Sequence, residues 1–198
     1  MTLVEQLADA LRCLPGVGPK SAQRMVFHLL RTNRQRGLHL ATCLEKAMNG
    51  VHACQQCRFF AEQAICPICA DEKRDPATLC VVESPVDVMA IEQSHVFKGT
   101  YFVLNGKISP LDGLGPEDIG LPELYNRVQS GAIKEVILAI SPSIEGQTTI
   151  YHIQQMLKPL DIVLSQLAQG IPSGGELEFL DGYTISRALQ HRAALQHD

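Results

Sequence analysis

The chain has 198 residues, of which 45% are apolar and 19% charged, and this length suits one ordinary domain or two or three small ones. It contains no run of 18 apolar residues and no basic-then-apolar leader with a cleavage site, which argues against a membrane-spanning or secreted protein and predicts a cytoplasmic one. Seven cysteines, four of them clustered, suggest metal binding rather than a disulfide framework.

Basic residues are concentrated in the first quarter of the chain. Residues 1–50 carry a charge balance of +4 and residues 51–198 a balance of −8, within a net charge of −4. No acidic residue occurs between Asp9 and Glu45, where six basic residues do. This distribution fits either a nucleic-acid footprint or a solvated helical face, and charge alone does not separate the two.

The first fifty residues show the spacing of three amphipathic helices. Apolar residues predict one helix over 3–14 and a second that begins at Pro19, where the missing N–H of proline costs nothing. A third helix is expected at about 38–49, with Gly50 as its stop. Helices this short leave apolar surface for a second copy of the chain to cover.

A Gly-X-Gly turn joins the first two helices. Because glycine has no Cβ, Gly16 and Gly18 let the backbone approach another molecule closely. The free N–H groups of the following helix start suit a phosphate oxygen. With Lys20 and Arg24 on the polar face of that helix, the segment looks like a helix–hairpin–helix motif, which contacts the nucleic-acid backbone without reading bases. A helical turn used only for packing is the alternative.

Two Cys-X-X-Cys knuckles stand eight residues apart and contain Cys54, Cys57, Cys66 and Cys69. Two such knuckles let four thiolates converge tetrahedrally, the arrangement that zinc prefers. A closed four-sulfur shell leaves no open coordination position, so we expect one structural Zn²⁺ per chain; disulfides or a redox-active pair are less favoured. The other cysteines, Cys13, Cys43 and Cys80, lie in apolar surroundings and are expected in the core.

From Thr78 onward, strands and helices alternate. Short runs rich in branched apolar residues predict strands at 78–83, 101–104, 135–140 and 161–167. Helical stretches lie between and after them, near 86–95, 121–130 and 147–158. This alternation indicates an α/β fold with a mainly parallel sheet covered on both sides.

Three carboxylates fall near the predicted carboxyl ends of the strands, where open α/β sheets keep their sites. Glu83 ends the first strand, Asp87 lies in the first turn of the next helix, and Glu145 follows the third strand. They are either a hard-metal site or, as we favour, helix caps and surface contacts. Metal-dependent phosphoryl chemistry would need more acids beside them.

The order of these modules resembles the RecR family of recombination mediators. The resemblance covers essentially the whole chain, including "LRCLPGVGPKSAQRM", the cysteine knuckles, "VVESPVDVMAIE", "EVILAISPSIEG" and "GIPSGGELEFLDGYTISRAL". The family pattern Asn-Pro-Thr and Glu-Gly-Glu is replaced here by Ser141-Pro142-Ser143 and Glu145-Gly146-Gln147, so one acid is lost.

The resemblance implies four segments: a helix–hairpin–helix DNA-binding and dimerisation domain at 1–52, a four-cysteine zinc finger at 53–76, a Toprim domain at 77–172 and a C-terminal extension at 173–198. Leu177, Phe179 and Leu180 offer a second contact between copies of the chain. Two different two-fold contacts can close a homodimer into a homotetrameric ring, an assembly for which the family is known.

The resemblance also implies a mediator without catalytic residues. Such proteins help load RecA onto single-stranded DNA coated by single-strand-binding protein, with RecO, RecF or both as partners, in the bacterial cytoplasm at the nucleoid. Glu83, Asp87 and Glu145 are then partner-binding residues. DNA is bound independently of sequence, as single strands or duplex junctions. A Toprim-type metal-dependent nuclease or primase-like enzyme, and a plain zinc-stabilised DNA-binding regulator, are the competing classes.

Overall fold

The computed structural model describes residues 1–168, 170–172, 174–190 and 192. The chain divides into two compact units, with the boundary after His52. Among the helices of the described residues, none has the combination of length and apolar character that crossing a bilayer requires.

The first unit is a set of three helices: α1 (Leu3–Leu11), α2 (Pro19–Thr32) and α3 (Arg34–Gly50). Thr2 and Glu5 form a capping box at the start of α1. Helix α1 is shorter than predicted because the chain leaves it at Arg12 to form the hairpin turn. Helix α3 starts earlier than predicted, since the N–H of Gly37 bonds to the carbonyl oxygen of Asn33 although residues 33–37 contain no apolar side chain to signal a helix.

Few side chains are buried in this unit. Among its residues, Ala22 and Val26 of α2 are the buried ones, and the apolar faces of the helices are otherwise largely open. The prediction of core positions for Cys13 and Cys43 is wrong, because both thiols are exposed. Three short helices form too small a body to enclose them, whereas Cys80 lies in a sheet and is buried as predicted.

The second unit starts with the cysteine-rich segment and continues into a parallel sheet. The boundary between the units falls within the two-residue strand β1 (His52–Ala53), which pairs with β2 (Phe60–Ala61), and the short helix α4 (Pro67–Ala70) follows. The sheet consists of β3 (Thr78–Val82), β4 (Thr100–Val103), β5 (Glu135–Ala139) and β6 (Val163–Gln166). Its strand order is β4-β3-β5-β6, and all three pairings are parallel.

Helices cover both faces of the sheet, as the sequence predicts. They are α5 (Pro85–Gln93), α6 (Leu121–Gln129) and α7 (Ile144–Leu157). Strand residues alternate between the two cores: Phe102 and Leu138 pack with α6 and α7, while Tyr101 and Val103 pack with Val88 of α5. The predicted α/β class is therefore confirmed.

A 3₁₀ turn (Leu177–Phe179) and helix α8 (Gly182–Gln190) follow the sheet. The sequence did not indicate either element. Phe179 is 79% exposed and Leu177 is 59% exposed, while Leu180 is half-buried. Of the expected C-terminal extension, residues 173, 191 and 193–198 lie outside the described residues.

Candidate functional site

The four cysteines of the two knuckles converge in the second unit. Their sulfur atoms all lie within 4.8 Å of one another, and those of Cys57 and Cys66 are 3.5 Å apart. Four thiolates around one zinc ion stand about 3.8 Å apart, so this arrangement fits the metal. In the described part of the chain, no other group of three or more His, Cys, Asp or Glu side chains is placed to hold a metal ion.

Backbone N–H groups point at the sulfurs. The N–H of Cys66 donates to the sulfur of Cys54 at 3.3 Å, and the N–H of Cys69 donates to the sulfur of Cys66 at 3.4 Å. Burial raises the pKa of Cys54, but the N–H groups of Cys66 and Cys57 outweigh it and bring the pKa to about 7. For Cys57, the hydrogen bond with Cys69 and burial together raise the pKa. Four ionised thiols in so small a space need a cation, and Zn²⁺ would supply it.

The first knuckle is bonded to strand β4, which lies at one edge of the sheet. The N–H of Val103 donates to the carbonyl oxygen of Cys57 at 2.9 Å. Arg127 of α6 donates through Nη1 to the carbonyl oxygens of Gln56, at 2.6 Å, and Tyr101, at 2.7 Å. The zinc-binding segment and the sheet are thus joined by backbone groups of an edge strand that are not used within the sheet.

A second arginine holds the other side of the knuckle. Arg58 donates to the carbonyl oxygen of Ile119 at 2.7 Å and lies 5.7 Å from the centre of the Phe102 ring. The neighbouring Gly120 has φ +84°, and a Cβ on it would lie 1.3 Å from Nη1 of Arg58. Glycine suits the backbone conformation there, and a Cβ would move the guanidinium from its present position.

The chain after the zinc segment is fixed by a partly buried ion pair. The guanidinium of Arg74 bonds to both carboxylate oxygens of Glu92, and its Nη1 also donates to the carbonyl oxygen of Gly99 at 3.1 Å. The hydroxyl of Tyr101 donates to Glu92 at 2.6 Å. The hydrogen bond from Arg74 holds the pKa of Glu92 below its usual value, so the pair stays charged at neutral pH.

The hairpin of the first unit presents an open backbone. Gly16 has φ +77°, which L-residues rarely adopt, and a Cβ on either Gly16 or Gly18 would meet no atom within 4 Å. Gly18 stands at the N-cap of α2 without a side-chain cap, and Pro19 follows at the first helical position. Lys20 and Arg24 are exposed on α2. The glycines, the helix start and the two cations therefore lie on one continuous stretch of chain that is accessible to a ligand.

An apolar cavity of about 460 Å³ lies within the same unit. Its walls are Leu11, Leu14, Arg24, Met25, His28, Leu29 and Leu40. Leu14 is 48% exposed and Leu40 is 45% exposed. The unit has a small core, and in the single chain the apolar lining of this cavity is exposed to solvent.

The carboxylate of Glu83 is held by two internal partners. Its Oε1 accepts a hydrogen bond from the N–H of Ser141, and its Oε2 lies 3.2 Å from Nζ of Lys107. Lys107 also donates to the hydroxyl of Ser141 at 3.1 Å. Burial raises the pKa of Glu83, but Ser141 and Lys107 outweigh it and hold the pKa below its usual value. Glu83 therefore joins the ends of three strands.

The other two acids serve the starts of helices. Asp87 accepts hydrogen bonds from the N–H and hydroxyl of Ser84, both at 2.8 Å, and completes a capping box on α5. Glu145 lies in the first turn of α7, where its own N–H and the hydroxyl of Ser143 lower its pKa. The structure places Glu83 and Asp87 around one cavity of about 320 Å³ but does not group the three acids as metal ligands.

Comparison with known proteins agrees with this architecture. Four family models match successive segments: RecR helix-hairpin-helix at 4–48, the RecR four-cysteine zinc finger domain at 51–71, Toprim domain at 77–168 and RecR C-terminal at 170–193. "Recombination protein RecR" of Legionella pneumophila strain Philadelphia 1 is 64% identical over 195 residues, 98% of either chain. The protein of the same name from Stutzerimonas stutzeri strain A1501 is 56% identical over 190 residues, 96% of this chain and 95% of that one.

The chain belongs to the RecR family. The resemblance noted in the sequence is thereby confirmed, and so is the expectation of a structural zinc, since the family's four-cysteine zinc finger and the convergent sulfurs agree. The relatives are named as recombination proteins, so this RecR-family chain is assigned to DNA recombination.

Sequence reasoning missed the residues that hold these sites in place. Lys107 follows Asn105 and Gly106, whose positive φ values of 59° and 148° form a sharp turn. An Asn-Gly pair after a strand is a recognisable turn signal and could have drawn attention to the lysine. Arg127 has no comparable signal, because it stands on an ordinary amphipathic helix and its partners are distant in the sequence.

Proposed function

We propose that this RecR-family chain is a non-enzymatic recombination mediator of the cytoplasm. It binds DNA without reading its sequence and, with RecO, RecF or both, promotes loading of RecA onto single-stranded DNA coated by single-strand-binding protein. The observation that carries the proposal is the hairpin, in which Gly16 and Gly18 leave the backbone open beside two exposed cations.

Phosphate binding follows from the chemistry of the hairpin. The N-terminus of α2 carries partial positive charge and free N–H groups, and an unsubstituted backbone lets a phosphate oxygen come close. Lys20 and Arg24 stand one turn apart and add full positive charges on the same helix. None of these groups distinguishes one base from another, so binding is expected on single strands and duplex junctions of any sequence.

The carboxyl edge of the sheet supports partner docking better than catalysis. Glu83 is neutralised by Lys107, and Asp87 is engaged in a helix cap. Close to the exposed start of α7, Ile144 is 84% exposed, and Leu111 of the preceding loop region is 97% exposed. The exposed apolar side chain of Ile144, next to Glu145, suits a protein surface rather than a phosphodiester. We assign Glu83 and Asp87 to shaping this RecO- or RecF-binding surface and Glu145 to direct contact.

Assembly completes the proposal. The open apolar faces of α1, α2 and α3 and the cavity between them support a two-fold contact, and the exposed Leu177 and Phe179 support a second one. Homodimers that pair again form a four-chain ring, and four first units bring about +16 charges to one DNA molecule. The four segments 1–52, 53–76, 77–172 and 173–198 are proposed as the functional divisions.

The deciding experiment measures RecA filament formation on single-strand-binding-protein-coated DNA, with RecO and RecF from the same organism. The chain should shorten the lag, and the double variant Lys20→Ala/Arg24→Ala should not. Lys134→Ala/Lys158→Ala, which removes two exposed cations elsewhere, serves as the matched control. Cleavage or priming of DNA with Mg²⁺ or Mn²⁺ that disappears in Glu83→Ala would contradict the non-enzymatic proposal.

A further inference from the structure

The zinc centre carries a charge that the protein must compensate. One Zn²⁺ and four thiolates have a net charge of about −2. Three of the four cysteines are buried, so solvent compensates little of it. Such centres depend on hydrogen bonds and charges from the surrounding chain, which also orient the ligands.

The peptide unit between Gln56 and Cys57 has a special position in this centre. It lies inside the first Cys-X-X-Cys knuckle, and its N–H belongs to the zinc ligand Cys57. Because the peptide unit is planar and trans, its N–H and its C=O point in opposite directions. Whatever binds the carbonyl of Gln56 therefore also fixes the direction of the N–H of Cys57.

Arg127 binds it. Nη1 lies 2.6 Å from the carbonyl oxygen of Gln56 and 2.7 Å from that of Tyr101, so both of its hydrogens are used. The two bonds fix the plane of the guanidinium between the knuckle and strand β4. Arg127 is partly buried and lines a cavity together with Gln56 and Cys69. A positive charge at this place offsets part of the negative charge of the centre.

We propose that Arg127 is a positioning residue of the zinc centre, which fixes the orientation of the Gln56–Cys57 peptide in the first knuckle and partly compensates the charge of the four thiolates. It acts from helix α6, outside the zinc-binding segment. Retention of zinc in this chain thus depends on the folded sheet domain as well as on the four cysteines.

The alternative is that Arg127 only helps to attach the zinc segment to the sheet, as several other hydrogen bonds do. Arg58 is the matched control for that alternative. Like Arg127, it donates from its guanidinium to a backbone carbonyl, that of Ile119, and joins the zinc segment to the rest of the second unit. Its partner carbonyl belongs to the loop before α6 and not to a knuckle peptide.

The experiment uses the zinc-loaded full chain and the variants Arg127→Gln, Arg127→Lys and Arg58→Gln. Zinc release into excess EDTA is followed with a chromophoric zinc indicator, and thermal unfolding is measured in parallel. Replacing a residue outside the ligand set commonly costs 10- to 100-fold in metal affinity, so Arg127→Gln should release zinc about 10-fold faster than wild type or more. Arg58→Gln should stay within about threefold of wild type, even where its melting temperature falls equally.

Arg127→Lys keeps the charge but not the planar guanidinium that holds Nη1 between the two carbonyls, so its release rate should lie between those of wild type and Arg127→Gln. In Co²⁺-substituted protein, the thiolate-to-cobalt absorption should shift in Arg127→Gln and not in Arg58→Gln. Release from Arg127→Gln no faster than from Arg58→Gln would overturn the proposal. If Arg127→Gln does not fold, the same comparison of Arg127→Lys with Arg58→Gln decides it.

Discussion

The backbone N–H of Val103 donates to the carbonyl oxygen of Cys57, and this bond covers the edge strand of the sheet with a zinc knuckle. Open strand edges are templates for pairing with other chains, and proteins cover them with helices, loops or charges. The zinc segment thus has two roles that the knuckle motif alone does not reveal. It stabilises itself through the metal and closes strand β4 against aggregation.

Loss of zinc should therefore expose β4. Replacing Cys54 or Cys66 by serine removes a ligand, and because metal binding energy is folding energy in such segments, solubility and stability should both fall. Elemental analysis of the purified chain should give one zinc per chain, and light scattering of the variants should show aggregates. Cys43→Ser, an exposed cysteine outside the cluster, is the control and should keep full zinc. Less than about half an equivalent of zinc with disulfides in its place would contradict the assignment.

The fit between Gly120 and Arg58 predicts a large effect of one methyl group. Gly120→Ala forces a positive φ on alanine and moves the guanidinium of Arg58 away from the carbonyl oxygen of Ile119, so the free energy of unfolding should fall by about 2 kcal/mol, about half of it from the lost hydrogen bond. Gly131 has the same φ of +84° but open space around it, so Gly131→Ala isolates the backbone cost of about 1 kcal/mol. Urea unfolding of both variants measures the difference. Equal losses would mean that Arg58 moves without cost.

Salt dependence should report the hairpin contacts with DNA. Each phosphate contact contributes about 0.7 to the slope of log K against log salt for single strands, and about 0.9 for duplexes. Lys20→Ala/Arg24→Ala should weaken binding alike for all sequences and flatten the slope by about 1.4 on single strands and about 1.8 on duplexes. Fluorescence anisotropy at several salt concentrations measures this. A slope equal to that of wild type would place the DNA elsewhere.

The Glu83 carboxylate should give the chain a measurable pH dependence. Its pKa is lower in the folded state than the usual glutamate value of about 4.3, so its stabilisation is present above that pH and is lost as pH falls through the folded pKa. Glu83→Gln should cost about 1.5 kcal/mol at pH 7 and progressively less below about pH 4. Denaturant unfolding between pH 3 and pH 7 tests this, with Glu117→Gln as the exposed control. A pH-independent difference would show that Glu83 acts through its shape alone.

Assembly should depend on the apolar cavity of the first unit. Light scattering should show a dimer that becomes a tetramer as concentration rises, with DNA binding following the tetramer. Leu40→Glu places a charge at the cavity and should shift the chain to monomer, whereas Leu111→Glu, at an exposed position of the second unit, should not. Circular dichroism checks that both variants keep their helices. A wild-type monomer at tens of micromolar with full DNA binding would overturn the prediction.

The sequence alone was enough for features that depend on local spacing. Two Cys-X-X-Cys knuckles bring their sulfurs together through turns of a few residues, so the spacing of the cysteines is enough to identify the zinc ligands. Alternating strand and helix patterns likewise predicted a parallel sheet with helices on both faces, which the strand order confirms.

The tertiary structure decided which distant groups meet and which side chains stay exposed. Arg127 and Gln56 are 71 residues apart in the sequence, and no local pattern links them. The thiols of Cys13 and Cys43 stand in apolar stretches, yet they are exposed because three short helices have too little volume to enclose them. Local spacing fixes a helix, a strand or a knuckle, but burial and long-range pairing depend on how these elements pack, and that depends on the whole chain at once.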